Sequence, residues 1–210
     1  MFFEPPTEEE ESAAPSRPEL PAWCAPPPDE MGAVIVSGLL LARTPNVVLI
    51  LPTIEAFSGG CLLNVDIVTR RHTMSPGEYE TLQTGLHLPL ITGASAGKPL
   101  PDNLLRFGVR FADGTKTTTV GQRFDRLRLQ QDPPPPPRLT LLIGSFSMRS
   151  GPEDDNVSTM RLWLWPLPPP EVFELAAEWP AAGVELTLAQ LDGAAIGAGA
   201  RQAAPYWPEA

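Results

Sequence analysis

Leu105-Arg106-Phe107-Gly108-Val109-Arg110-Phe111-Ala112-Asp113-Gly114-Thr115 is the stretch on which the fold turns. Apolar residues occupy every second place. Side chains alternate across a sheet, so Leu105, Phe107, Val109 and Phe111 face one way and Arg106 and Arg110 the other. Asp113-Gly114 readily supplies the positive φ angles of a two-residue hairpin turn, and residues 116–120 return as the partner strand. Upstream, residues 33–41, 47–54 and 61–68 are runs rich in Val, Ile and Leu, separated by Thr44-Pro45-Asn46 and Ser58-Gly59-Gly60. Strand-length runs at such intervals, punctuated by turn residues, read as a meander. Downstream, residues 139–146, 160–165 and 173–179 continue the pattern. The expectation is an all-β domain: a β-sandwich or partly open antiparallel barrel of seven to nine strands.

The chain has 27 prolines among its 210 residues. Proline lacks the amide donor and clashes with the preceding helical turn, so long helices are disfavoured. One C-terminal α-helix is expected even so. Thr187-Leu188-Ala189-Gln190 has the spacing of a capping box, with Leu186 and Leu191 placed as a staple, and the helix would run from 188 to about 203. Gly193, Gly197 and Gly199 weaken it, and it would need a sheet to lean on. Residues 70–102 read as a long excursion with one short strand near 86–91. Residues 122–138 read as another, in which Pro133, Pro134, Pro135, Pro136 and Pro137 favour a stiff polyproline segment. Residues 149–158 read as a polar loop.

Charge is uneven. Residues 1–30 hold eight carboxylates against Arg17 alone, within a chain of net charge -10. The sequence therefore divides into an acidic, Pro- and Glu-rich arm over 1–28, whose composition disfavours ordering, and one β-rich domain over 29–210. Trp23 is the residue expected to dock the end of the arm on the body. Arg70-Arg71 and the alternating Arg123, Arg126 and Arg128 are too small a basic footprint for nucleic acid. The first residues lack a basic start and turn acidic where a secretory signal would be apolar. The longest apolar stretch falls far short of a membrane span. A cytoplasmic protein with no membrane association is expected, with Cys24 and Cys61 as inert thiols.

Motifs that resemble chemical sites lose their context on inspection. Gly93-Ala94-Ser95-Ala96-Gly97 has the G-x-S-x-G spacing of a nucleophile elbow. Pro99 and Pro101 oppose the helix that must follow, and both histidines, His72 and His87, precede the serine. The same glycines with Lys98 fall short of a phosphate-binding loop, which needs four residues between its glycines and a hydroxyl after the lysine. Ile196-Gly197-Ala198-Gly199 lacks the third glycine of a dinucleotide fingerprint. His72 and His87 have no spacing that enforces metal binding with Asp66, Glu78 or Glu80. Glu153-Asp154-Asp155-Asn156 lacks the spaced oxygen ligands of a calcium loop. No cofactor and no catalytic residue is expected. Trp163 and Trp165 project to one side of their strand and Leu162 and Leu164 to the other, as in a central strand covered on both faces. Their second reading is an aromatic platform for a sugar ring or a partner's proline. Arg106 and Arg110 have two alternatives open to them: cation–π contacts with those rings, or pairs with Glu174 and Glu178.

Residues 105–114 (LRFGVRFADG), 164–170 (LWPLPPP) and 178–183 (EWPAAG), with the Trp- and Pro-rich approach near Trp23, resemble an uncharacterised family of actinobacterial-type proteins. The resemblance covers the chain from about residue 20 to its end. It implies an intracellular bacterial protein from a GC-rich genome and carries no activity and no catalytic residues. The function expected is a non-catalytic protein-interaction or assembly module. Its candidate contacts are the arm and Pro133–Pro137, and a bare edge strand offers a route to homo-oligomers. A small-ligand or carbohydrate binder using Trp163 and Trp165 is the second expectation. A hydrolase built on Ser95 and His87 is the third.

Overall fold

The computed structural model describes residues 20–91, 99–120, 135–142, 147–150 and 155–207, with the side chains of 87–91 and 147–150 left out. Its centre is the meander read from the sequence: β2 (Ala33–Arg43), β3 (Val47–Phe57) and β4 (Gly60–Arg70), each antiparallel to the next. β9 (Asp155–Trp165) pairs along the whole of β4. On its far side, β7 (Arg138–Leu141) and β8 (Ser147–Ser150) pair with opposite halves of β9. The smaller sheet has the order β11-β10-β5-β6, from β5 (Arg106–Arg110), β6 (Lys116–Thr118), β10 (Val172–Trp179) and β11 (Val184–Asp192). β1 (Glu30–Met31) and β12 (Ala204–Pro205) form a short third ladder. Twelve strands among the described residues exceed the seven to nine expected. β1 and β12 are two-residue bridges, and one edge of β9 is shared by two short strands.

The two large sheets face each other across a single core. Leu49, Leu51, Leu63, Val65, Leu162 and Leu164 come from one side, and Phe107, Val109, Phe173, Leu175 and Trp179 from the other. At the seams β11 approaches β2 and β6 approaches β7. This is the sandwich with barrel-like edges that the alternation implied. Pro52 explains the one irregularity shared by three strands. Without an N–H it cannot donate to either neighbour. Register shifts fall between Ile50 and Thr53 on β3 and between Val36 and Leu39 on β2, where Gly38 takes φ +62. The shift also changes phase: Val47, Leu49 and Leu51 face inward before it, Ile54 and Ala56 after it.

The hairpin stands where expected, but its turn is one residue longer. Phe111 N–H donates to Thr115 O and Gly114 N–H to Phe111 O, and Gly114 has φ +86. A tight turn followed by a left-handed glycine makes a three-residue loop. Asp113 Oδ1 accepts from Thr115 N at 2.8 Å, and these bonds hold the Asp113 carboxyl below its ordinary pKa.

Two expectations about helices are corrected. Residues 76–91 are a helix, α1 (Pro76–Ile91), and the short strand near 86–91 does not form. Its start is a capping box in full: Ser75 N and Oγ donate to Glu78 Oε2, and Glu78 N donates back to Ser75 Oγ. At the C-terminus the helix α2 (Gly193–Ala200) begins five residues later than expected. Thr187 and Gln190 lie inside β11, where Thr187 Oγ1 donates to Ala177 O. The actual cap is Asp192, whose Oδ1 accepts from Ala194 N at 2.8 Å and Ala195 N at 3.1 Å. Asp192→Ala is expected to cost about 1 kcal/mol. That corresponds to a melting midpoint lower by about 2–4 °C, measured by calorimetry; an unchanged midpoint would show that the helix is held by packing alone. Gly199 packs on the meander, where a Cβ would lie 3.0 Å from Ile35 Cδ1 and 3.2 Å from Ala56 Cβ. The polar loop expected over 149–158 is corrected as well, since β9 starts at Asp155.

Candidate functional site

Four charged residues on β5 and β10 of the smaller sheet settle their own alternatives. On its outer face Arg106 Nε lies 2.7 Å from Glu178 Oε2, and Arg110 Nε lies 2.5 Å from Glu174 Oε2. Each pair is directly cross-strand in the β5–β10 ladder. The bond to Arg110 lowers the Glu174 pKa and raises that of Arg110. The tryptophans stand on the other sheet, on β9, so the arginines serve charge balance across strands. Between the pairs the same face is apolar, with Ala176 opposite both Gly108 and Leu188.

Trp163 and Trp165 share the outer side of β9, opposite the core-facing Leu162 and Leu164. Trp163 has no exposed surface and packs with Phe57 and Leu62 in a small cluster of its own, flanked by Leu142 and Trp165. The rings of Phe57 and Trp163 meet edge to face at 5.8 Å. The segment ahead of β1 meets this cluster at the Trp163 indole. Cys24 N donates to Pro21 O at 2.8 Å, closing a turn, and Trp163 Nε1 donates to the carbonyl of Ala22 at 2.9 Å. Trp23 is buried, with the Arg138 guanidinium 4.8 Å from its ring centroid. Trp23 thus docks as the sequence indicates, whereas the role of Arg138 was not legible. It follows from the register that sets Arg138 opposite Trp165. Pro135 and Pro136 are exposed and Pro137 is half-buried just ahead of Arg138; Pro133 and Pro134 lie outside the described residues. Cys24 and Cys61 are both free and buried. Burial pushes the Cys61 thiol up to about 12 and that of Cys24 to about 11, the latter opposed by Arg138. Both stay protonated and unreactive at neutral pH.

A third group of residues went unread. The apolar run of β2 is only half buried: Val34, Val36 and Leu40 are 64%, 84% and 49% exposed. On β11, across the seam, Leu186 and Leu188 are 63% and 48% exposed. A continuous apolar run signals a strand covered on both faces, and nothing in it distinguishes an edge strand with one bare face.

Two clefts flank Met74 at the start of α1. One, of about 530 Å³, lies between the Thr44–Asn46 turn, α1 and residues 181–183, and has Arg43, Glu78 and Thr81 in its wall. The other, of about 370 Å³, is lined by Arg71, His72, Pro76 and Tyr79. Arg71 stacks on Tyr79, whose hydroxyl accepts from Asn156 Nδ2. His72 Nδ1 is 3.8 Å from Asp155 Oδ1. The walls can hold a small polar molecule. The Gly93–Gly97 motif with Ser95 lies outside the described residues, as does the side chain of His87. Among the described residues no group of three His, Cys, Asp or Glu side chains converges as metal ligands, and no helix is long and apolar enough to cross a membrane. Compared with protein-family models, curated proteins and solved structures, the chain matches none, so the likeness of its three segments to an uncharacterised family remains a likeness of motif.

Proposed function

We propose that the chain is a non-catalytic assembly module and that β2 is its working edge, joining a second copy of the same chain. The observation that carries this is the exposure of Val36, 84%, with Val34 and Leu40, on a strand that ends the larger sheet. An edge strand offers unpaired N–H and C=O groups to any strand that meets it. Proteins that stay apart usually guard such edges with lysine, proline or inward charges. From Ala33 to Ala42 this strand has none of them; its ladder to β3 is interrupted by one bulge at Ser37-Gly38 and a second at Leu41. Paired about a twofold axis, two β2 strands would set Val34, Val36 and Leu40 of one copy beside those of the other, an isologous contact. Leu186 and Leu188 extend the same apolar surface across the seam. The acidity of the chain supports this placement, since copies repel elsewhere and can approach on an uncharged strip. Pro135 and Pro136 offer a rigid second contact.

Light scattering coupled to gel filtration tests the proposal. The wild type is expected at about twice 22.7 kDa, and Val36→Lys at the monomer mass with an unchanged melting temperature, because Val36 contributes almost nothing to the core. A wild type that stays monomeric up to its solubility limit, or a Val36→Lys dimer, overturns it.

A further inference from the structure

We infer that the outer face of the larger sheet is a receptor seat for a proline-headed turn carrying a tryptophan, filled in cis by Pro21–Cys24 and able to take the same turn from a second copy of the chain. The seat is built from four side chains. Trp163 offers its indole N–H at 2.9 Å to the Ala22 carbonyl. Phe57 and Leu62 pack around the Trp163 ring and fix it in place, and Arg138 closes over the incoming ring at 4.8 Å. An indole N–H directed at a peptide carbonyl beside an apolar floor is a recurrent means of gripping proline-containing segments, whose restricted backbone loses little entropy on binding. A cation over the face of a tryptophan adds selectivity for that ring.

Three features mark residues 20–24 as an occupant of the sheet rather than one of its elements. They belong to no strand ladder. The turn is closed on itself, by Cys24 N to Pro21 O, so it arrives preformed. Trp163, which the turn meets through the Ala22 carbonyl, sits with Phe57 and Leu62 in a cluster separate from the main core between the sheets, and Trp23 and Cys24 belong to neither cluster. Arg138 is held from the sheet side, its Nε 3.3 Å from Thr140 Oγ1. Arg138 therefore has a partner on the sheet besides the Trp23 ring. This seat lies on β3, β4, β7 and β9 and does not depend on β2 serving as an edge.

The test uses the full chain and a fluorescein-labelled peptide of residues 18–28 with Cys24→Ser. The wild type should exclude the peptide, because its own turn competes at the effective concentration of a tethered ligand. The Trp23→Ala chain should bind it at least about tenfold more tightly, by anisotropy. A peptide that also has Trp23→Ala should bind neither chain, and adding Arg138→Ala to the Trp23→Ala chain should weaken binding again. Failure of the peptide to bind a folded Trp23→Ala chain overturns the inference. Equal binding to both chains also does so, by placing the peptide elsewhere. Loss of the fold in Trp23→Ala, seen by circular dichroism, overturns it too, because the turn would then be a part of the fold and not a ligand.

Discussion

Trp179→Ala is expected to lower the unfolding free energy by about 3–5 kcal/mol, the range for deleting a fully buried large aromatic side chain. Trp179 ends β10, has no exposed surface and belongs to the core between the sheets. It also has a directional role. Its Nε1 donates to Asn103 O at 2.9 Å, and Ala181 N, just past it, donates to Asp102 O. The segment leading into β5 is thereby fastened to the end of β10. Truncation to alanine leaves a cavity and frees that segment together. Trp179→Phe separates the two effects: most of the apolar contact survives, while Asn103 O loses its donor, at about 1–3 kcal/mol. Urea unfolding followed by circular dichroism measures both. A Trp179→Ala chain within about 1 kcal/mol of wild type would place the weight of this corner elsewhere.

The residues explain why some of this architecture was legible and some was not. β5 and β10 were readable because their apolar residues recur at a period of two, and β2, β3 and β4 because strand-length runs of Val, Ile and Leu are set off by turn residues. β9 was readable only from Met160 onward. Its first half turns Asn156 and Ser158 toward the interior, so the pattern there looks like a loop although the ladder to β4 runs on unbroken. α1 was hidden by Pro76, Gly77, Gly85 and Pro89 and by a narrow apolar face, of which Leu82 and Leu86 are buried. Ser75-Pro76-Gly77-Glu78 held a start signal all the same, with proline at the first helical position. The same kind of signal misled at Thr187. There the strand prevailed, because Ala189 and Leu191 meet Leu175 and Phe173 across the ladder and the bare Leu186 and Leu188 disguised the alternation. The working surfaces proposed here were the least legible. Val36 and Leu51 look alike in a sequence, and only sheet order makes one an edge and the other core.

Gly85→Ala tests the Trp179 corner from the helix side, with an expected sign opposite to that of helix propensity. In the interior of a helix alanine is favoured over glycine by about 0.8–1 kcal/mol. A Cβ on Gly85, however, would lie 1.8 Å from Asn103 O and 3.1 Å from Trp179 Nε1. The obstacle is backbone, held in place by the indole that donates to it, so it cannot swing aside as a flexible side chain would. Either α1 lifts from the sandwich or the Asn103–Trp179 bond breaks, and overpacking of this kind costs about 1–3 kcal/mol. Gly77→Ala is the control, because a Cβ there meets nothing within 4 Å; it should be neutral or stabilising by up to about 1 kcal/mol. The decisive measurement is the double-mutant cycle with Trp179→Ala. Without the indole, the Asn103 carbonyl is free to retreat from the new methyl group. Gly85→Ala should then cost about 1 kcal/mol less in that background than in the wild type, a coupling typical of residues that share a neighbour. Strict additivity would mean that the helix and the indole are anchored independently, and that Asn103 does not link them.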